Sequence, residues 1–123
     1  MFNNKIISIF ENPKNVGIIK GSSAIGEAGS ATSGELIKFY IKVENNILTE
    51  IKFKAYGGVL TIATCSVITC LVKDKSLEDV RRISCEEILK ELECYDKEYN
   101  PTIELCIDAL FSALSEYYKS QII

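Results

Sequence analysis

From Ala55 to Val72 the chain carries no charged side chain. An uncharged stretch of that length has two physical homes, the hydrocarbon of a membrane or the interior of a folded domain. Thr61, Thr64, Ser66 and Thr69 interrupt it, and Gly57-Gly58 breaks it near its start. Hydroxyls at that density suit a helix enclosed by protein better than one facing lipid. The reading is a buried helix from about Leu60 to Val72, which the rest of the chain must wrap.

The wrapping elements are legible in part. In Glu35 to Val43, Ile37, Phe39, Ile41 and Val43 alternate with Lys38 and Lys42, with Tyr40 on the wetter side. That is the period of a strand with one buried face. Asn45-Asn46 is a suitable turn because asparagine tolerates positive φ, and Ile51, Phe53 and Ala55 then alternate again, so the two runs read as an antiparallel hairpin. Before them, Asn3 or Asn4 caps a short helix with Ile6, Ile7 and Phe10 on one face and Pro13 at its end. The Gly-, Ser- and Ala-rich stretch from Val16 to Gly29 reads as a loop with one short edge strand.

After the buried helix, Ser76 with Asp79 and Ser84 with Glu87 fit capping boxes of two short helices. A charged loop runs from Glu91 to Glu98, and Asn100-Pro101 supplies an N-cap and a first-turn proline. The last helix then places Ile103, Cys106, Ile107, Leu110, Phe111, Leu114 and Tyr118 on one stripe. A small antiparallel sheet of about three strands followed by helices predicts an α+β fold with the helices packed on one face of the sheet. With 123 residues, 47% hydrophobic, and no repeat or linker, residues 1–123 read as one domain.

Composition then removes function classes. The net charge of -3 leaves no broad basic surface for a phosphate backbone, so nucleic acid is not an expected partner, although local basic contacts to an acidic protein remain open. The apolar stretch after Met1 ends at Glu11, too short for a signal peptide, and no membrane association is expected. The expected location is the cytoplasm. The absence of histidine excludes imidazole as base or ligand, and with it serine-triad and zincin chemistry. Five cysteines, an odd number without a secretion signal, read as reduced thiols rather than a disulfide framework.

One stretch is more specific. Glu11-Asn12-Pro13-Lys14-Asn15-Val16-Gly17 resembles the E-N-P-R-N-V-G signature that follows the first helix of NifU-like (IscU-type) iron-sulfur cluster assembly scaffolds. The match continues through Gly34, Phe53 to Gly57, Ile62-Ala63, Lys75-Ser76-Leu77 and Cys106, with a small deletion in the hairpin and an insertion before the last helix. In those scaffolds three cysteines and an aspartate, sometimes with a histidine, converge at one exposed end. The resemblance implies an iron or iron-sulfur cluster site, a cysteine desulfurase and cluster recipients as partners, a homodimer as an option, and a carrier rather than an enzyme.

Carried over position by position, the resemblance places the first cysteine at Ser33, the aspartate at Glu35, the second cysteine at Gly58, the histidine at Leu105 and the third cysteine at Cys106. Only Cys106 keeps its thiol. It is the implied cofactor-binding residue, with Glu35 as a second metal ligand and Ser33 as a weak one, because a hydroxyl is a hard donor for iron. One thiolate per chain does not hold a [2Fe-2S] cluster in the four-thiolate manner. The chaperone-docking L-P-P-V-K segment is replaced by Glu93 to Thr102.

Each candidate also has a plainer reading. Cys106 is either a thiolate favoured by the helix start or a small core residue beside Ile103 and Ile107. Glu35 is either a ligand or a solvated edge charge. Cys65 and Cys70, five apart on the uncharged helix, fall on different faces and read as core packing. Cys94 is either a thiol that a mobile segment brings to the Cys106 site or an exposed thiol without a role, Cys85 reads as inert, and Gly57-Gly58 as a tight turn. Zinc held by Cys85, Cys94 and Cys106 lacks a C-x-x-C spacing. The rival to the scaffold is a paralogue without metal that acts as a protein-binding or regulatory module.

Overall fold

The computed structural model describes residues 1–30, 32 and 34–122. Helix α1 (Asn4–Glu11) leads to strands β1 (Ala24–Ser30), β2 (Glu35–Glu44) and β3 (Ile47–Tyr56). Helices α2 (Val59–Val72), α3 (Leu77–Val80) and α4 (Cys85–Glu91) follow, then a short 3-10 turn (Lys97–Tyr99) that runs into α5 (Asn100–Ser120). The three strands form one antiparallel sheet in the order β1-β2-β3. The expected α+β class with helices on one face holds.

The β2-β3 hairpin forms as the alternation requires. Asn45 and Asn46 both take positive φ, 52° and 64°, the twist that matches a two-residue hairpin turn. Ile37, Phe39 and Ile41 from β2 and Leu48, Ile51 and Phe53 from β3 are buried against the helices. Phe39 lies directly across from Phe53, with ring centroids 6.2 Å apart. Helix α2 packs on β3 and α5 on β1 and β2, while α1 covers the far side of α2. Helix α2 is buried along most of its length, from Leu60 to Val72, as its lack of charge predicts. No helix among the described residues is long and apolar enough to cross a membrane.

The hydroxyls of α2 have specific tasks. Ser66 Oγ accepts from the Lys14 amide at 2.9 Å, and Thr69 Oγ1 accepts from Asn15 Nδ2 at 3.0 Å. Asn15 itself has φ 61°, and its carbonyl accepts from the Phe53 amide, whose own carbonyl accepts from the Gly17 amide. Residues 11–17 therefore strap the exit of α1 to both α2 and β3. That role uses the asparagines and the glycine of the stretch directly.

Four local expectations are corrected. In α1 the buried side is Ile6 with Ile9, while Ile7 is half-buried and Phe10 37% exposed. The rotation is set by Asn3, whose Oδ1 caps the Ile6 amide while its Nδ2 donates to the carbonyls of Leu92 and Glu93. Strand β1 is a full partner of β2 over Ala24–Ser30 rather than a loop with a short edge piece. Asn100 is already helical, at φ -55° and ψ -43°, because the preceding 3-10 turn, capped by Asp96 at the Glu98 amide, carries the chain into α5. Phe111 is 36% exposed, because α5 turns the small Ala113 toward β1 instead.

Candidate functional site

Four side chains meet where β2 starts and where α2 and α5 come together. Glu35 is the first residue of β2. Its Oε1 accepts from Thr61 Oγ1 at 2.8 Å, in the first turn of α2. One turn further on, Cys65 Sγ lies 3.8 Å from Cys106 Sγ of α5. The Cys106 thiol also approaches the Thr61 carbonyl at 3.9 Å. Thr61 thus touches both the carboxylate and a thiol, and links one expected site residue to the other.

The chemistry of the pair follows from its burial. Cys65 and Cys106 are both 0% exposed. Burial pushes the Cys65 thiol well above its ordinary value of 9.0, and the adjacent Cys106 and the Glu35 carboxylate push it further. A neutral thiol is a weak nucleophile and must lose its proton to become a good metal ligand. At rest Cys65 is therefore held as a neutral thiol, packed against Cys106 in the core.

Of the expected site residues, the structure gathers Glu35 and Cys106. Ser33 lies outside the described residues. Gly58 is the N-cap of α2 and exposed, and a Cβ there would meet nothing within 4 Å. Leu105 is half-buried beside Cys106. Cys65 joins the site without having been singled out for it. The available signal was its i, i+4 relation to Thr61, which puts both on the α2 face that meets α5.

The other cysteines stay apart. Cys94 follows α4, with its amide bonded to the Leu89 carbonyl, and is half-buried rather than exposed. The Cys85 thiol is pushed up by burial and by the Glu104 carboxylate, so it is poorly reactive. Among the described residues no three Cys, Asp or Glu side chains are arranged to hold a metal ion, so the zinc set of Cys85, Cys94 and Cys106 does not form. Cys70 is a correction of a different kind. It is exposed, in a groove of ≈350 Å³ between α1 and α2 that Lys5 and Lys14 also line.

This distribution predicts an order of labelling. Cys70 is expected to react first with a maleimide on the folded protein, while Cys65 and Cys106 react only in denaturant. Peptide mapping by mass spectrometry reads the order directly. Labelling of Cys106 as fast as Cys70 would mean that the α2-α5 contact opens readily.

The family model described as the NifU-like N-terminal domain matches residues 1–122. The chain is 37% identical over 124 residues to the iron-sulfur cluster assembly scaffold protein IscU of Haemophilus influenzae, covering 98% of each chain. It is 33% identical over 120 residues to the Escherichia coli protein of the same name, covering 94% of this chain and 93% of that one. Among solved structures, the N-terminal part of a NifU-like protein from Brucella abortus superposes with a TM-score of 0.78 at 18% identity, over 95% of this chain and 94% of that one.

Proposed function

Because the chain belongs to the NifU-like N-terminal domain family, we propose that it works in iron-sulfur cluster assembly as a scaffold, with iron or a nascent cluster as cargo. The observation that carries this reading is the family match over residues 1–122; within it Thr61 links Glu35 to Cys106 and Cys65 packs on Cys106, but among the described residues these side chains are not arranged, at rest, to hold a metal ion. Cys106 receives sulfur or coordinates iron, Glu35 supplies a carboxylate, and Ser33 adds a weak hydroxyl donor. Cys65 contributes the second thiol that position-by-position transfer from the family did not supply.

Thiolates suit iron and sulfide, while a carboxylate makes a more labile ligand set from which cargo can be passed on. Two thiols and one carboxylate do not complete a four-thiolate cluster. A second copy of the chain would supply the remaining pair. A cysteine desulfurase is the sulfur donor on this reading, and cluster-accepting proteins are the recipients. The protein carries and transfers without turnover of its own. Its five free cysteines suit the reducing cytoplasm, where we place it.

One observation favours a second reading, that of a protein-binding module without metal. Both site thiols are 0% exposed. The two readings separate in one experiment, anaerobic reconstitution of the reduced protein with ferrous iron, sulfide and a cysteine desulfurase, followed by iron and acid-labile sulfide analysis. A scaffold retains near-stoichiometric iron and sulfide, and Cys106→Ser and Cys65→Ser each lower retention by roughly tenfold or more, as expected for loss of a ligand or its close support. Full retention in both variants removes the site assignment. No retention in the wild-type protein selects the module.

A further inference from the structure

Five thiols are spread along the chain, and the fold brings Cys65 and Cys106 into contact. Cys65 stands midway along α2 and Cys106 in the second turn of α5, with their sulfurs 3.8 Å apart and both residues 0% exposed. They are 41 positions apart in sequence, so only the packing of the two helices creates the pair. Cys70, Cys85 and Cys94 lie elsewhere, in the α1-α2 groove, at the start of α4 and just after it. Two thiols in contact are a dithiol, which can give up two electrons and two protons and close to a disulfide.

The geometry leaves a short distance to travel. Bonded sulfurs stand about 2.05 Å apart, so this pair is roughly 1.8 Å short of bonding. A rotation of some tens of degrees about a Cα–Cβ bond moves a sulfur by about an ångström, and two such rotations are of the size required. The surroundings favour the product. Burial, Cys106 and Glu35 all disfavour a charge on Cys65, and a disulfide carries none, whereas a thiolate in the same place bears a desolvation cost. Burial also selects the oxidant. A bulky, charged disulfide such as glutathione disulfide does not reach two sulfurs that are 0% exposed, while a neutral molecule little larger than water enters through small fluctuations in packing.

We propose that Cys65 and Cys106 form a peroxide-sensitive dithiol that closes to a disulfide between α2 and α5. One sulfur attacks a peroxide oxygen, the O–O bond breaks, and a sulfenic acid and one water result. The neighbouring thiol then attacks the sulfenic sulfur. The S–O bond breaks as the S–S bond forms, and the hydroxyl leaves with the thiol proton as a second water. Two thiols and one hydrogen peroxide thus give one disulfide and two waters, the sulfurs losing the two electrons that the peroxide oxygens gain. A dithiol reductant reverses the step by thiol-disulfide exchange. The consequence for cargo rests on the scaffold reading above, since a Cys106 bonded to Cys65 has no thiol with which to receive sulfur or bind iron. The oxidised chain is a closed scaffold, and reduction reopens it.

The test treats the reduced parent chain, and a variant carrying Cys70→Ser, Cys85→Ser and Cys94→Ser, with hydrogen peroxide while folded. Both are then alkylated in denaturant and mapped by mass spectrometry. The expected product resists alkylation at Cys65 and Cys106 and yields one joined peptide holding both, and dithiothreitol reverses the change. The bond ties together residues 41 apart, so the oxidised variant is expected to melt at least about 5 °C higher than its reduced form. Adding Cys65→Ser to the same background should abolish that rise. In reconstitution with ferrous iron and sulfide, the oxidised form should retain roughly tenfold less of both than the reduced form. Thiols that stay alkylatable after excess peroxide, sulfinic acid at either position without a joined peptide, or a lower melting temperature would overturn the proposal. Equal retention by the two forms overturns the closing of the scaffold. No retention even in the reduced form defeats the scaffold reading instead, and the joined peptide still decides the disulfide.

Discussion

Gly26→Val is expected to destabilise the chain by at least about 3 kcal/mol, out of a total of roughly 5–15 kcal/mol for a domain of this kind. Helix α5 crosses β1 so closely that a Cβ at Gly26 would stand 2.0 Å from the Ala113 amide nitrogen and 2.5 Å from its Cα. Those neighbours are backbone, so no rotamer change relieves them. Either α5 lifts from the sheet, exposing Leu110 and Leu114, or β1 leaves β2. Thermal unfolding should show a fall of about 10 °C or more. Gly58→Ser, placed where a side chain meets open space, is the control and should stay within about 0.5 kcal/mol of the parent. A shift of only a few degrees for Gly26→Val would mean that α5 does not lie on β1 as described.

Phe53→Ala is expected to cost about 3–5 kcal/mol, the range for removing a buried aromatic side chain. Phe53 is 1% exposed and packs against Phe39, itself 0% exposed, at the centre of the hairpin's inner face. Its backbone also receives the strap at Asn15 and Gly17, so a cavity at this point loosens the sheet and the motif segment together. Urea denaturation should show a lower midpoint with little change in slope. Tyr56→Ala, at the exposed end of the same strand, should change stability by less than about 0.5 kcal/mol. Equal losses at the two positions would contradict the inward and outward assignment of β3.

These two positions also show what the sequence disclosed. Strand β3 was legible because Ile51, Phe53 and Ala55 repeat at period two, and each choice is made by the local pleat. Strand β1, reading Ala-Ile-Gly-Glu-Ala-Gly-Ser, was not legible, because its residues are chosen by distant neighbours. Gly26 is small for Ala113, and Gly29 takes φ 98° with the Glu35 carbonyl 2.2 Å from where a Cβ would stand. Those constraints come from α5 and β2, and a window along the chain does not contain them. The serine caps of α3 and α4 were legible for the opposite reason, since cap and amide are three residues apart.

The candidate site divides along the same line. Glu35 and Cys106 were reached through the family resemblance, and the structure places both at the α2-α5 junction. The Cys65 to Cys106 contact joins residues 41 positions apart, and only the fold brings it about. Cys70 was assigned to the interior because its neighbours are apolar. Yet α2 is not enclosed all round, and its α1 side leaves the groove in which Cys70 sits. Asn100 matched the residue type of a cap but not its place, since Asp96 had already opened the turn before it.

Gly58 carries a consequence for how this chain can change. It has φ -80°, which any residue adopts, and its missing side chain would project into open space. A thiol gained or lost here is therefore nearly invisible to folding, and a glycine codon reaches a cysteine codon by one base. Stability therefore places little constraint on which side chain stands at Gly58, in contrast to the buried Cys65 and Cys106. The side chain at this position can change while Gly26, Phe53 and the strap of residues 11–17 hold the architecture fixed.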